Sequence, residues 1–411
     1  MFKMKKSKAS LLLGLAVSGV VLGACGAGKN EVTLWNPFTG ADGEYFQKIV
    51  DSYNETDPEV KIKNVTVPDM YTKINTVMNS NKDKDVPDLS VIHVERVELF
   101  QSQDLLSPMT QIIEEQPNLN ENNYIEVAWQ GGEVNGERYS IPLDVHSSPL
   151  FYNKDLVDKY APTVLDDGIL TIDEIREITP KAKADGIITY PINLETWTSM
   201  SFTTAQGGSI EVDGNPSIDT PEMKKSIETL KSFVDDGAAQ EDGDDAVQLF
   251  QSGKSIFIQD GTWGIAGHKE IEDLNWGITN TPAFDPNVIS NWTSSHQFGL
   301  LKKERTEEKQ TAIGEFLEYV RKNSDVWAES GQNVASREIF ESENYKNYPQ
   351  SFLLNDQREM DSLTIYDFKN NGLTQDSLGP YVRDMVYGRL DITEGLQKAQ
   401  KEADDKIKEG Q

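Results

Sequence analysis

The chain has 411 residues, which is too long for one typical hydrophobic core and predicts two domains. Its 68 acidic and 39 basic residues give a formal net charge of -29. Such a field repels phosphate backbones, so nucleic acid is not an expected partner. A hydrophobic content of 37% and an aromatic content of 9% are typical of a globular protein and argue against disorder.

The first 25 residues are predicted to be a targeting segment and not part of the fold. Lysines near the N-terminus precede an apolar stretch over 11–22, which is too short to span a bilayer comfortably. Leu22-Gly23-Ala24-Cys25 matches a bacterial lipobox, and Cys25 is the only cysteine. The sequence therefore predicts a lipoprotein signal peptide over 1–24, lipidation of Cys25 and a tether over 25–30. The alternative is an ordinary cleaved secretory signal with an incidental cysteine.

Strands and helices alternate in the first hundred residues. Strands are predicted over 32–35, 60–67 and 89–93, with helices between them over 43–54 and 70–78. Alternation at this spacing indicates βαβ units and a parallel sheet. Because ligands bind outside the carboxyl ends of such strands, the residues from Trp35 to Phe38 and from His93 to Glu95 are expected on one rim.

The segment 141–155 contains strand-like runs separated by a polar middle. A short aromatic strand is predicted over 150–152, and Asn153 is a candidate cap for the helix that follows. Asp144 and His146 lie in the polar middle. This pattern suits a connection between two lobes with side chains facing the gap, although an ordinary sheet edge is the alternative.

The rest of the chain contains further helices and short strands. Helices are predicted over 171–184, 221–235, 308–321 and 393–408, strands over 190–193, 276–279 and 297–301, and a helix end, strand and glycine-rich loop over 249–264. Thr171 and Glu174 form a capping-box pattern at the first of these helices.

Catalytic, phosphate-binding and metal-binding motifs are not found in the sequence. Gly253-Lys254-Ser255 lacks the preceding glycine of a phosphate loop, because Gln248 occupies that position. The histidines at positions 93, 146, 268 and 296 are far apart in sequence. No pair of carboxylates stands out with acid and nucleophile roles. No metal, no cofactor and no enzymatic activity are therefore expected.

Tryptophans are the most informative residues, because most of the seven lie in or beside loops. Indole rings stack on the apolar faces of sugars while carboxylates and amides bind the hydroxyls, so this pattern favours a site for neutral carbohydrate. Trp35, Trp197 and Trp263 are assigned to the site, whereas Trp129 and Trp276 are expected in the core.

Taken together, these features resemble the family 1 extracellular solute-binding proteins, the maltose-binding-protein-like receptors of sugar ABC importers. The resemblance covers essentially the whole mature chain, and its more specific pieces are the lipobox, the run 141–156, Gly207-Gly208 before Asp213-Gly214, and the run 250–255 followed by Gly261-Thr262-Trp263. It implies an α/β, two-lobed periplasmic-binding-protein fold, with a mostly parallel sheet flanked by helices in each lobe and hinged crossover segments. Lobe 1 would comprise 31–143 and 297–334, and lobe 2 would comprise 145–295 and 336–411.

The resemblance and the strand-end argument together give a set of expected ligand-binding residues in the interlobe cleft. These are Trp35, Phe38, His93, Glu95, Asp144, His146, Glu195, Trp197, Asp260, Trp263, Trp292 and His296. Trp327 and Arg337 are looser candidates near the third crossover. A ligand that touches both lobes would favour the closed state, which a permease would recognise.

The predicted protein is a monomer anchored by lipid on the extracytoplasmic face of the cell membrane, on a Gram-positive-type surface. It is expected to bind a carbohydrate, in particular an oligosaccharide, and to deliver it to the transmembrane subunits of an ABC permease. Another cargo, such as a glycerol phosphodiester, a polyamine or an anionic sugar, is an alternative. Few basic residues are candidates for the cleft (Arg96, Arg138 and Arg337), which counts against an anion. A secreted carbohydrate-active enzyme is a further alternative, and turnover of a glycoside would identify it.

Overall fold

The computed structural model describes residues 31–80 and 82–409. Cys25 and the predicted signal peptide lie outside the described residues. Within these two ranges, the helices all lack the combination of length and apolar character that crossing a membrane requires.

The strands are short, and in chain order they are β1 (Glu31–Asn36), β2 (Lys61–Thr66), β3 (Leu89–His93), β4 (Leu106–Ser107), β5 (Glu133–Val134), β6 (Glu137–Arg138), β7 (Ser140–Pro142), β8 (Asp144–Ser147), β9 (Leu150–Asn153), β10 (Glu211–Val212), β11 (Asn215–Pro216), β12 (Phe257–Gln259), β13 (Trp276–Thr279), β14 (Asn291–Ser294), β15 (His296–Leu301), β16 (Asn333–Val334) and β17 (Leu363–Ile365). The helices are α1 (Asp42–Glu55), α2 (Met70–Met78), α3 (Val97–Ser102), α4 (Thr110–Glu115), α5 (Glu126–Gln130), α6 (Lys154–Tyr160), α7 (Ile172–Ala184), α8 (Glu195–Ala205), α9 (Pro221–Asp236), α10 (Ala246–Gln251), α11 (Ile265–Lys269), α12 (Glu307–Asn323), α13 (Asp325–Glu329), α14 (Arg337–Phe340), α15 (Phe352–Asn355), α16 (Gln357–Ser362), α17 (Asn371–Val386) and α18 (Ile392–Glu409).

Lobe 1 is built on a sheet with the strand order β2-β1-β3-β15-β4, in which β7 also pairs with β15. Alternate residues of β1 are buried, so that Val32 and Leu34 enter a core with side chains of α1 and α12. The first three strands run parallel, as the βαβ pattern predicts, whereas β15 is antiparallel to β3, β4 and β7.

The sheet of lobe 2 has the order β12-β9-β13, and a second small sheet, β16-β8-β14-β17, lies at the crossovers and contributes Val145 and Val334 to the core that contains β1. Strand β9 is antiparallel to both of its neighbours, and β14 is parallel to β17 but antiparallel to β8. The expectation of a mostly parallel sheet in each lobe is therefore wrong for this lobe. Strand β14 comes from lobe 2 and continues directly into β15 of lobe 1. Both strands of this crossover run antiparallel to a neighbour, β14 to β8 and β15 to β3.

The helices that the sequence predicted form close to their expected bounds, and side-chain caps are present at the start of α6 and α7. The capping box at Thr171 is confirmed, with reciprocal bonds between Thr171 and Glu174 at the start of α7. The Asn153 side chain accepts the amide of Leu156 at 3.1 Å, which confirms it as the cap of α6.

The predicted strand over 190–193 does not form. Tyr190 and Ile192 are buried, but the peptide groups of Ile192 bond to a side chain and not to a neighbouring strand. Gln240 accepts the amide of Ile192 at 2.8 Å and donates to its carbonyl at 3.0 Å. The side-chain amide of Gln240 thus takes the place of a neighbouring strand for these peptide groups. The local sequence of the segment gives no sign of this partner.

Residues beyond 336 contribute to the cores of both lobes. Tyr345, Leu353 and Leu354 pack in the same cluster as β1 and β3. Leu378 and Val382, on α17, pack in the cluster of β9 and α9. Side chains of this last segment therefore pack in both hydrophobic clusters, first in that of β1 and then in that of β9.

Asp88 joins the lobe 1 sheet to α12, because its carboxylate bonds to groups of both elements. Its buried carboxylate lies 2.9 Å from the ammonium of Lys309 and 3.2 Å from that of Lys303, and it accepts the Thr33 amide at 3.0 Å. Burial opposes ionisation, but these partners lower the pKa of Asp88 below its usual value of about 3.8. The ionised carboxylate therefore stabilises the fold above that pH, and the contribution is lost as the pH falls through the lowered pKa.

We expect Asp88→Asn to lower the free energy of unfolding by about 1–2 kcal/mol at pH 7, because charged hydrogen bonds are lost. Urea unfolding of the parent and the variant at pH 7 and at pH 3 would measure this. The difference between the two proteins should shrink at the lower pH. A difference that is unchanged between these pH values would contradict the assignment.

Candidate functional site

A cavity of about 490 Å³ lies between the lobes. Its walls are formed by Pro37, Phe38, Thr39, Gly40, Ala41, Asp42, Tyr71, His93, Glu95 and Arg96 on one side, and by His146, Trp197, Trp263, Trp292, His296, Gln332 and Gln375 on the other side and at the crossovers. This volume is within the range of about 300–1,000 Å³ that small-molecule sites occupy. A groove of about 610 Å³ beyond Arg96 has no indole in its walls.

The cavity brings together most of the residues that the sequence assigned to the ligand. Phe38, His93, Glu95, His146, Trp197, Trp263, Trp292 and His296 all line it. They come from strand ends, from the crossovers and from two short turns, so they converge only in the folded chain. Their contact with a ligand stays a prediction.

Four of the assigned residues lie outside the cavity walls. Trp35 packs against the apolar cluster of Val67 and Met70, on the face of β1 opposite to Val32 and Leu34. Glu195 accepts a hydrogen bond from Arg383 at 2.8 Å. The remaining two are buried carboxylates: Asp144 lies beneath the cavity histidines, and Asp260 accepts the amide of Gly261.

Three indoles form the lobe 2 wall. Trp197, on the first turn of α8, stacks on Trp292 of β14 with the ring centroids 4.6 Å apart and the planes 17° apart. Trp263, in a 3-10 turn after β12, meets Trp197 edge to face, with a centroid separation of 5.7 Å. Because Trp292 is buried behind its neighbours, it supports the partly exposed Trp197 and Trp263. These two rings are the ones that a ligand can stack on.

Phe38 and Asp42 contribute the facing wall from lobe 1. The Phe38 ring packs against Trp327 and His296, with centroid separations of 4.9 Å and 4.8 Å. Trp327 is fully buried, so it supports the wall from behind and is not part of it. Burial raises the pKa of the Asp42 carboxyl, although the charge of His296 opposes this shift.

Polar side chains connect the two lobes at the rim of the cavity. Arg96 donates two hydrogen bonds to Asp376 of α17, at 2.8 Å and 2.7 Å. Gln375 donates to Glu95 at 3.3 Å and accepts the indole N–H of Trp197 at 3.0 Å. The guanidinium of Arg96 is thus neutralised by a carboxylate from the other lobe.

Histidines 93, 146 and 296 form a cluster at the floor of the cavity. Strand pairing creates it, because His93 is opposite His296 in the register of β3 and β15, and His146 is opposite Ser294 in the register of β8 and β14. One ring nitrogen of each histidine lies within 4.8 Å of the other two.

Asp144 holds two of these rings from below. Its carboxylate accepts Nδ1–H of His296 at 2.7 Å and Nδ1–H of His146 at 3.1 Å, as well as the indole N–H of Trp327 at 2.8 Å. Burial opposes ionisation, but the charges and hydrogen bonds of His296 and His146 hold the pKa of Asp144 well below its usual range. Burial, with the charge of His296, lowers the pKa of His146 and also that of His93.

The cavity walls also include four residues that were not expected there from the sequence: Asp42, Tyr71, Gln332 and Gln375. Asp42 lies four residues after Phe38, where the predicted rim that follows the first strand ends, so a slightly longer rim would have included it. Tyr71 and Gln375 lie on helices that the fold brings to the cavity from distant parts of the chain. No local pattern marks them.

Comparisons with known proteins agree with the described fold. A family profile for bacterial extracellular solute-binding proteins matches residues 39–325. The chain is similar to the sn-glycerol-3-phosphate-binding periplasmic protein UgpB of Brucella suis biovar 1, with 23% identity over 336 residues that cover 75% of this chain and 76% of the relative.

Solved structures of sugar-binding proteins have the same fold at low identity. Maltose-bound MalE3 of T. maritima is similar with a TM-score of 0.76 and 17% identity, covering 91% of this chain and 99% of that chain. Lmo0181 of Listeria monocytogenes, solved in complex with cycloalternan, has a TM-score of 0.75 and 16% identity, covering 92% and 99%. Because the family profile spans most of the chain and the two-lobed fold agrees with it, this protein belongs to the bacterial extracellular solute-binding proteins of family 1, which serve ABC importers of sugars and related solutes.

Proposed function

We propose that this protein binds a neutral carbohydrate, in particular an oligosaccharide, in the cavity between the lobes. The observation that carries the proposal is the pair of partly exposed indoles, Trp197 and Trp263, in a cavity that also contains carboxylate and amide groups. Indole faces match the apolar faces of sugar rings, while Asp42, Glu95 and Gln332 can bind hydroxyls.

The charges of the cavity favour a neutral cargo over an anionic one. Arg96 contributes a guanidinium to the cavity wall, but both of its terminal nitrogens already donate hydrogen bonds to the carboxylate of Asp376. Asp42 and Glu95 add acidic groups to the same cavity. A phosphate group in this cavity would be repelled by the two carboxylates and would have no free guanidinium to bind. This argues against glycerol 3-phosphate, the cargo in the name of the relative UgpB.

Binding without turnover agrees with the arrangement of the carboxylates. Glycoside hydrolysis needs one carboxyl group as acid and a second as nucleophile or base. Both oxygens of Glu95 already accept hydrogen bonds, from Ser294 at 2.7 Å and from Gln375 at 3.3 Å. Each of these oxygens keeps a second lone pair for a sugar hydroxyl, and the support for a receptor comes from the family, which consists of binding proteins.

Delivery and location complete the proposal. The protein would be anchored on the extracytoplasmic face of the membrane through a lipid on Cys25 and would act as a monomer. Cargo that contacts both lobes stabilises the closed form, and the transmembrane subunits of an ABC permease would recognise that form. Retention of the membrane association in the Cys25→Ala variant would contradict the anchor.

A thermal-shift screen tests the cargo directly. Maltose, maltotriose and cyclic gluco-oligosaccharides would be compared with glycerol 3-phosphate and spermidine at equal concentrations. A ligand at a hundred times its Kd stabilises the folded protein by about 2.7 kcal/mol, so a true cargo raises the Tm measurably. We expect shifts with the neutral sugars only. A shift with glycerol 3-phosphate or spermidine alone would contradict the proposal.

A further inference from the structure

The histidine cluster has a property that sugar binding does not require. Each of its three rings has Nδ1 engaged by another side chain: His146 and His296 bond to Asp144, and His93 bonds to the Tyr71 hydroxyl. Among the described residues, no side chain or backbone group bonds to the Nε2 atoms of these rings. All three rings also line the cavity.

The hydrogen bonds below the rings determine which nitrogen is free. A carboxylate only accepts, so Asp144 requires a proton on Nδ1 of His146 and of His296, and the Nε2 lone pair of each neutral ring stays available. The Tyr71 oxygen already accepts the backbone amide of His93 at 3.0 Å. His93 can offer Nε2 to an ion in the tautomer in which its Nδ1–H donates to the second lone pair of this oxygen, and binding of a cation at Nε2 would select that tautomer.

The spacing of the rings fits coordination of one ion. In a zinc site the centroid of each imidazole lies about 3.2 Å from the metal, so ligand angles of 90–109° put the centroids about 4.5–5.2 Å apart. The separation of 4.7 Å for His93–His296 lies in this range, whereas 4.2 Å for His146–His296 and 5.6 Å for His93–His146 lie just outside it, so the rings must shift slightly when an ion binds. One ring nitrogen of each histidine lies within 4.8 Å of the other two, so shifts of about 1 Å or less bring three nitrogens to the roughly 3.3 Å separations of a tetrahedral site.

The surrounding charges favour a cation. The carboxylate of Asp144 lies directly behind two of the rings, and Asp42 and Glu95 are part of the same cavity. A carboxylate that accepts Nδ1–H of a ligating histidine fixes the ring and strengthens it as a ligand, and this is the usual support of a metal-binding histidine.

We propose that His93, His146 and His296 form a binding site for one divalent transition-metal cation of the zinc type at the floor of the cleft. Three imidazole nitrogens suit zinc and its neighbours in the first transition row better than calcium or magnesium, which prefer oxygen. The fourth position of the ion faces the cavity, where water or an oxygen of the cargo can fill it. This site departs from the metal-free expectation of the sequence analysis, and it does not depend on which cargo the protein carries.

Metal titration of the full-length protein tests the site. The protein would be purified without a polyhistidine tag, treated with EDTA and titrated with ZnCl2 by calorimetry in a non-chelating buffer. We expect one zinc ion per chain with a micromolar or tighter Kd, and visible d–d absorption bands when CoCl2 replaces zinc. Absence of both signals would overturn the proposal.

His93→Ala is the most informative variant, because it leaves the bonds of Asp144 intact and so keeps the support of the other two rings. We expect its zinc affinity to fall by more than about 100-fold, since losing only the hydrogen-bond partner of a ligating histidine costs about 10–100-fold. His268→Gln is the matched control, because His268 packs against Phe151 and Phe250 away from the cavity. Its affinity should equal that of the parent.

Circular dichroism before each titration would establish that the variants are folded. If His93→Ala is folded and binds zinc as tightly as the parent, the proposal is wrong. The sugar screen, run once in EDTA and once in ZnCl2, keeps the two proposals separate. Failure of the sugars in both buffers would leave the metal result unaffected.

Discussion

Replacing Asp144 with asparagine should lower the free energy of unfolding by roughly 3–5 kcal/mol, because it breaks a buried network of charged hydrogen bonds. The carboxylate is fully buried and accepts four hydrogen bonds, from the rings of His146 and His296, from the backbone amide of His296 and from the indole of Trp327. An asparagine has one acceptor oxygen and places an NH2 group against N–H donors. Two donors at least would then lose their partner.

The same network joins elements of both crossovers. Asp144 lies on β8, His296 begins β15 and Trp327 lies on α13. We therefore expect the variant to loosen the connection between the lobes as well as to destabilise the fold. Denaturant unfolding followed by circular dichroism would measure the change. The matched control is Asp185→Asn, whose carboxylate bonds to Lys159 and Tyr160 at the surface.

The control should cost no more than about 1 kcal/mol, because exposed ion pairs contribute little. Since the pKa of Asp144 is lowered, its contribution is present at neutral pH and is lost only as the pH falls below the usual range of a carboxyl group. Equal losses for Asp144→Asn and Asp185→Asn at pH 7 would show that the buried carboxylate does not hold the crossovers.

Removing the indole of Trp263 should weaken sugar binding by roughly 1–3 kcal/mol, or about 5-fold to 150-fold, without unfolding the protein. The ring lies at the cavity, edge to face with Trp197, and at the margin of the lobe 2 core. Its loss removes one stacking surface, while the stacked pair of Trp197 and Trp292 keeps the rest of the wall in place. Titration calorimetry with the sugar that gives the largest thermal shift would measure the change.

Trp129→Ala is the matched control for this variant. That indole is also partly buried, but it stacks on Tyr124 and under the guanidinium of Arg138, away from the cavity. Both variants lose one indole, and only one of them changes the proposed binding surface. If the two variants have the same affinity as the parent, Trp263 does not contact the sugar.

Local patterns in the sequence predicted several of the long helices and seven of the seventeen described strands, whereas the two-lobed architecture came from the resemblance to a family. The 16-residue helix α17 was not predicted. Amphipathic periodicity over 221–235 and 308–321 predicted α9 and α12 to within two residues of their bounds. The strand over 190–193 failed because its hydrogen-bonding partner is the side chain of Gln240, about fifty residues away in the sequence. Backbone pairing depends on such distant partners, and period-2 patterns alone do not identify them.

The sequence predicted eight of the residues that line the cavity but not how they converge in space. Loop tryptophans and strand-end histidines were found because their positions relative to local elements can be read directly. Trp35 lies outside the cavity because alternation along β1 places its indole on the face opposite to Val32 and Leu34, where it packs with Val67 and Met70. The convergence of His93, His146 and His296 depends on the register between β3 and β15 and between β8 and β14, which no local pattern specifies.

A crystal structure with the sugar that gives the largest thermal shift tests the central claim most directly. We expect the sugar to lie between the lobes, with one ring face against Trp197 or Trp263 and its hydroxyls bonded to groups of both lobes, including Asp42 or Glu95 from lobe 1 and Gln375 from lobe 2. A sugar that binds outside this cavity, or that contacts only one lobe, would contradict the account.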